Sequence, residues 1–132
     1  MYLLDTNIVI FLFKGRYEID KKIDSIGMSN CFISEITIAE LKFGAEKSNK
    51  PEYHRKVVKD FINEIQILPI INVLDTYAKE KNRLEKLGMR IDNFDLLIRA
   101  TAVVNNLVLV TNNVSHLKRI GNIKLEDWTK RI

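Results

Sequence analysis

Short apolar runs and longer amphipathic ones alternate along this chain. Tyr2-Leu3-Leu4 runs straight into Asp5, and after Thr6 and Asn7 a second apolar run extends from Ile8 to Phe13, followed by Gly15. A buried strand feeding a helix explains the pattern. Thr6 or Asn7 is the expected cap of that helix and Gly15 its stop. Ile19, Ile23 and Ile26 then recur at helical spacing as far as Gly27. Cys31-Phe32-Ile33 reads as a second buried strand, and Ser34 as the cap of a helix reaching about Lys47. Pro51 suits the first turn of a fourth helix, whose apolar face is Tyr53, Val57, Phe61, Ile62 and Ile65. A third strand is expected within Ile65–Ile71, stopped near Pro69. Leu74, Tyr77, Ala78, Leu84 and Leu87 mark a fifth helix, ended by Gly88. Asp92 or Asn93 caps a sixth that runs to Asn105. Asn105-Asn106 turns the chain into a strand over Leu107–Val110; a short helix over Ser115–Arg119 and an edge strand over Leu125–Trp128 complete the expected set.

Strands alternating with helices predict an α/β fold, a parallel sheet of four to five strands with helices on both faces. Asp5 then sits at the carboxyl end of its strand, where open α/β sheets bind ligands. Neither GxxxxGK[ST] nor GxGxxG occurs, so the usual nucleotide cradles are missing. The 132 residues suit one domain, residues 1–132. A single cysteine, Cys31, excludes an intrachain disulfide. The apolar N-terminus is interrupted by Asp5 and Asn7 and followed by Lys14 and Arg16, the reverse of a secretory signal. No run approaches the ~20 residues needed to span a bilayer. The expectation is a cytoplasmic protein with no membrane partner. A net charge of +4 and a pI near 9.2 add a mild bias towards polyanions.

Certain acids stand where apolar residues are expected. Glu40 shares a helical face with Ile36 and Phe43, and a carboxylate there is costly unless it is paired or binds a cation. Asp95 opens the sixth helix, which is apolar almost all round and therefore central. Each acid also has an ordinary use: Asp5 and Asp95 as caps or dipole partners, Glu40 as half of an ion pair or at a rim. Asp75 and Asp92 read most simply as caps. Three carboxylates gathered in one small domain repel one another unless a cation lies between them. Hard oxygen donors suit Mg²⁺ or Mn²⁺. His54, His116 and Cys31 form no zinc-type cluster in sequence.

Leu4-Asp5-Thr6-Asn7, Ser34-x5-Glu40-Leu41, Ile91-x3-Asp95-Leu96-Leu97-Ile98-x-Ala100-x-Ala102 and Leu109-Val110-Thr111-Asn112-Asn113 follow in that order. Leu117-x-Arg119-Ile120 and Glu126-Asp127-Trp128 close the chain. The whole chain resembles a PIN-domain ribonuclease, specifically the VapC-type toxin of bacterial toxin–antitoxin pairs. The resemblance implies a three-layer α/β/α sandwich and Mg²⁺- or Mn²⁺-dependent endonucleolytic cleavage of RNA, with tRNA the expected substrate. It also implies a homodimer neutralised by a cognate antitoxin. By position, Asp5, Glu40 and Asp95 match the catalytic, metal-binding acids. Thr6 and Thr111 match supporting hydroxyl groups, and Asn113 stands where many PIN domains carry a fourth acid. Arg99 replaces a usual alanine, one turn past Asp95, where it can pair with that acid, reach phosphate or equally lie on the solvent side of the helix. Arg99, Lys42, Lys118 and Arg119 are the candidate RNA contacts, with Lys14, Arg16, Lys47, Arg83 and Lys86 as further cations. The alternative is a catalytically weakened PIN-like module acting by RNA or antitoxin binding. A phosphatase using Asp5 as nucleophile needs a second Asp where Asn7 stands.

Overall fold

The computed structural model describes residues 1–113 and 123–130. The expected helix over Ser115–Arg119, together with His116, Lys118 and Arg119, lies outside them. Five parallel strands form one sheet, in the order β3-β2-β1-β4-β5. They are β1 (Tyr2–Leu4), β2 (Cys31–Ser34), β3 (Gln66–Leu68), β4 (Val108–Val110) and β5 (Lys124–Glu126). Between them run α1 (Thr6–Phe13), α2 (Ile19–Ile26), α3 (Glu35–Lys47), α4 (Pro51–Glu64), α5 (Leu74–Lys86) and α6 (Asn93–Val104).

The three interior strands, β1, β2 and β4, are short and alternate between two buried faces, while β3 and β5 form the more exposed edges. Leu4, Cys31, Ile33 and Val110 pack on one face with Ile8 and Val9 of α1, Ile19 and Ile23 of α2, Leu41 of α3 and Phe61 of α4. Leu3 and Leu109 face the other way, onto Leu97, Ile98 and Ala102 of α6, with Tyr77 of α5 packed at the edge. This is the expected three-layer sandwich. Strand β1 lies in the middle, in register with β2 through Tyr2–Cys31 and with β4 through Leu4–Val110. Chain order diverges on either side of β1, so its carboxyl end lies at the crevice of the sheet. The ladder continues one residue further, because the Asp5 N–H donates to Val110 O at 2.9 Å.

Local chemistry sets the helix ends. Asp5 itself caps α1, with Oδ1 accepting the Thr6 N–H at 2.8 Å, so the cap falls one residue earlier than Thr6 or Asn7. Thr6 is buried and its hydroxyl is committed elsewhere. Gly15, at φ +65°, ends α1: Gly15 N–H donates to Leu12 O and Arg16 N–H to Phe11 O, the paired bonds of a left-handed helix stop. Ser34 caps α3 by accepting the Ile36 N–H, and Asp92 caps α6 by accepting those of Phe94 and Asp95.

Several apolar positions turn outward. On α4, Tyr53 is exposed while Val58 and Phe61 are buried, so the face is rotated from the expected one. Leu74, which opens α5, and Leu87, just past its end, are also exposed. The last strand ends at Glu126, and Trp128 instead folds into the core against Tyr2, with ring centroids 5.4 Å apart. Among the described residues, no helix is long and apolar enough to cross a membrane.

Leu109, on the strand beside β1, is fully buried. Leu109→Ala should therefore cost about 2–5 kcal/mol of unfolding free energy. Urea denaturation checks this; a loss below about 1 kcal/mol would contradict its place in the core.

Candidate active site

Three elements bring acids to one crevice. Asp5 follows the central strand, Glu40 lies a turn and a half into α3, and Asp95 stands in the first turn of α6. All three line a cavity of about 520 Å³, together with Thr6, Asn7, Asp92, Arg99 and Asn113. The order of strands places the end of β1 between α3 and α6, so residues distant in sequence meet there.

Hydroxyl groups orient two of the acids. Thr6 Oγ1 donates to Glu40 Oε1 at 2.7 Å and lies 3.1 Å from Thr37 Oγ1. A hydroxyl has one proton; since that of Thr6 points at the carboxylate, Thr37 donates to Thr6. Thr37 is fully buried and was not among the sequence candidates. Its only sequence signal is a position three residues before Glu40, one turn back on the same helix. Thr111 Oγ1 donates to Asp5 Oδ2 at 2.8 Å, and the Asn113 N–H donates to Thr111 Oγ1 at 3.1 Å. Both Asp5 oxygens are thus held, one by Thr6 N–H and one by Thr111. Thr6 and Thr111 thus each donate a hydrogen bond to one of the acids.

The electrostatics follow from burial. Glu40 titrates above the usual glutamate range because it is withdrawn from water; the Thr6 hydrogen bond works against this, and the charges of Asp95, Asp5 and Asp92 add to it. Burial likewise raises Asp95, opposed by Arg99 and reinforced by Asp5 and Asp92. Asp92 does two jobs, capping α6 and adding a fourth negative charge to the cavity; the cap was legible in sequence and the second role was not.

Other candidates fall in different places. Arg99 is buried at 3% exposure beside the acids, not on the solvent side of α6. Lys42 is turned away from the crevice; it lines a separate cleft between α3 and α4 with Glu46 and Arg55. Lys47, one of the further cations, lines the acid cavity instead. Phe43, expected on an apolar helix face, is 66% exposed at the cavity's edge, and Phe94 is 44% exposed on the same cavity. Cys31 is buried in the core and its thiol is pushed up by burial. His54 stacks edge-on against Tyr53, away from the acid cavity.

Comparison with known proteins accords with this arrangement. A PIN-domain family model matches residues 2–122. Ribonuclease VapC2 of Rickettsia felis is 37% identical over 98% of this chain and 99% of its own length. The chain belongs to the VapC family of PIN domains. A tRNA(fMet)-specific endonuclease VapC of Shigella flexneri is 32% identical over 97% of this VapC-family chain and 98% of its own. The crystal structure of VapBC2 from Rickettsia felis, bound to a DNA fragment from its promoter, superposes with a TM-score of 0.89. It is 33% identical and covers 96% of this chain and 98% of its own.

The raised acids set the pH response of the metal-free protein. A carboxyl group whose folded pKa is raised stabilises the fold below its unfolded pKa, and that contribution is lost as pH rises through the folded value. At neutral pH the charged Glu40 therefore works against folding. Glu40→Gln keeps an acceptor for Thr6 and should raise the melting temperature of the EDTA-treated protein at neutral pH. The gain should shrink as pH falls into the ordinary carboxylate range. Thermal melts across that range check the sign, and an unchanged or lower melting temperature at neutral pH would refute it.

Proposed function

We propose that this protein is the toxin of a toxin–antitoxin pair, a divalent-metal-dependent endoribonuclease with tRNA as its substrate. One observation carries the reading: Asp5, Glu40 and Asp95 converge from a strand end and two helices on one cavity of a VapC-family PIN domain. The names of the relatives, ribonuclease and tRNA(fMet)-specific endonuclease, support the substrate class.

The donors of the cavity are oxygen atoms, which suit a hard divalent ion. Among the described residues, no three His, Cys, Asp or Glu side chains are gathered tightly enough to ligate one ion directly. The acids nonetheless feel one another, since Asp5 and Asp95 both raise Glu40. This combination suits Mg²⁺, which dehydrates reluctantly and binds through one or two carboxylates while keeping several waters. Asp5, Glu40 and Asp95 would hold it between them, one or two directly and the rest through its waters. A divalent ion bound there supplies Lewis acidity and neutralises charge on a phosphodiester.

The chain's own groups do the rest. Thr111 and the Thr6 N–H fix Asp5 in one orientation. The Thr37–Thr6 pair does the same for one oxygen of Glu40, leaving the other free towards the cavity. No donor from the described residues reaches the Asp95 carboxylate, so it is the acid best placed to accept a proton from an attacking water. Lys47 provides a phosphate contact at the rim, its Nζ 5.5 Å from the Phe43 ring centroid. Phe43 and Phe94 present exposed rings on which bases flanking the cut can stack, the usual way single-stranded RNA is held.

An antitoxin partner fits a second feature. A mostly apolar groove between α1, α3 and α4, lined by Phe13, Leu41, Tyr53 and Val57, shares Ile10, Glu40 and Gly44 with the acid cavity. A partner segment lying in it would reach the acids. Solved relatives are VapBC complexes from Rickettsia felis and Salmonella typhimurium, which supports such a partner. Pairing into a homodimer belongs to the same reading.

Purified, antitoxin-free protein incubated with a tRNA pool should give discrete fragments with Mg²⁺ and none with EDTA. Asp5→Asn keeps the α1 cap and should reduce cleavage to the EDTA level with an unchanged circular dichroism spectrum. Cutting by Asp5→Asn at the wild-type rate would remove the metal-site assignment. Wild-type protein that binds RNA and a divalent ion yet never cuts would favour the binding-only alternative. Phe43→Ala should weaken single-stranded RNA binding, measured by anisotropy, by about fivefold to a hundredfold; equal affinity would rule out stacking at that ring.

A further inference from the structure

Arg99 is a cation buried inside a cluster of acids, and the reading above gives it no task. It stands one helical turn after Asp95, is 3% exposed, and lines the acid cavity. Its Nε is shut away from solvent and has no hydrogen-bond partner. A guanidinium serving only as a structural counter-ion closes on a carboxylate with forked hydrogen bonds. Arg99 does not. The ion pairs among the described residues are Lys21–Glu18, Arg55–Glu46 and Arg83–Glu80, all away from the acid cavity. Asp95 and Asp5 nevertheless favour the charge on Arg99 across the cavity, against the burial that opposes it. A guanidinium stays protonated in proteins, so the cavity carries a permanent positive charge held near two acids and bonded to neither.

We infer that Arg99 is the resident cation of this site: it holds the non-bridging oxygens of the scissile phosphate and takes the place of a second divalent ion. This rests on the ribonuclease reading. A planar fork with unspent donors matches two phosphate oxygens. A fixed positive charge beside Asp5 and Asp95 repels a further cation from the donors that such an ion would need. Asn113, which reaches the cavity from beyond the end of β4, brings an amide and no charge to offset that repulsion. The departure at position 99 is thereby explained: a long cation on a buried helix face persists because an anion arrives there.

The test uses the full-length, antitoxin-free protein with two substitutions. Arg99→Met removes the charge while keeping most of the volume, and Arg99→Lys keeps the charge while removing the fork. Calorimetric titration with Mn²⁺ alone is the first readout. Wild type and Arg99→Lys should bind one ion with similar affinity, and Arg99→Met should bind a second ion or bind the first about tenfold more tightly. Cleavage of the tRNA pool at saturating metal is the second. Arg99→Met should lose on the order of a hundredfold, mainly in kcat, and Arg99→Lys should recover part of it. Tighter metal binding with slower cleavage is a combination that mere loss of packing does not produce. Unchanged Mn²⁺ affinity and stoichiometry in Arg99→Met, or wild-type kcat in that variant, overturns the inference. If Arg99→Met does not fold, Arg99→Lys decides: a wild-type kcat there overturns the inference, and a reduced kcat with unchanged Mn²⁺ binding supports it. Mn²⁺-binding protein that cuts no RNA overturns the ribonuclease reading instead, while the Mn²⁺ titration still judges the charge of Arg99 on its own.

Discussion

Mutual repulsion among carboxylates is the constraint around which this molecule is built. Asp5, Glu40, Asp95 and Asp92 share one cavity, and Glu40 and Asp95 are withdrawn from water as well. Left to itself such a cluster would spread apart. It is held because each acid is mounted on an element whose other side is deeply buried. Leu4 precedes Asp5 and is inaccessible, Leu41 follows Glu40 in the core, and Leu96 to Ile98 follow Asp95. The apolar packing of the sheet offsets the electrostatic cost of the site, and the same packing leaves little freedom for the acids to relax.

The polar groups behind the acids are as much part of the design as the acids themselves. Thr37, Thr6 and Glu40 form a hydrogen-bonded line from the interior of α3 to the cavity, and Thr111 performs the equivalent service for Asp5. These hydroxyls are buried and fully employed, so they rigidify the acids without adding charge. Arg99 is the exception, with a buried donor left unspent. In a site otherwise economical with its polar groups, that vacancy points to a ligand anion.

Much of the fold was legible in the pattern of residues. The strand starting at Tyr2, the helix capped by Ser34 and the apolar helix after Asp92 were readable because short apolar runs, caps and helical spacing are local properties. The parallel sheet followed from their alternation. Legibility failed where two readings were locally equal. Asp5, Thr6 and Asn7 can all cap a helix; Asp5 does so because the Thr6 hydroxyl is drawn to Glu40, thirty-four residues on. Tyr53 and Phe43 are apolar at helical spacing, yet both face outward, since which side of a helix meets the sheet depends on its neighbours. Lys42 and Lys47 are chemically alike, and only the turn of α3 sends one to a separate cleft and the other to the acids.

By itself, then, the sequence determined the order of elements, the acids out of place among apolar neighbours and the family that they mark. Those are matters of composition and short-range periodicity. The tertiary structure decided which polar groups stand behind the acids, that Asp92 joins them, that Lys47 rather than Lys42 serves the rim, and that Arg99 is interior. Each of these turns on the direction of a side chain relative to elements far away in the chain. Packing of the sheet and its helices sets that direction, and spacing along one helix does not encode it.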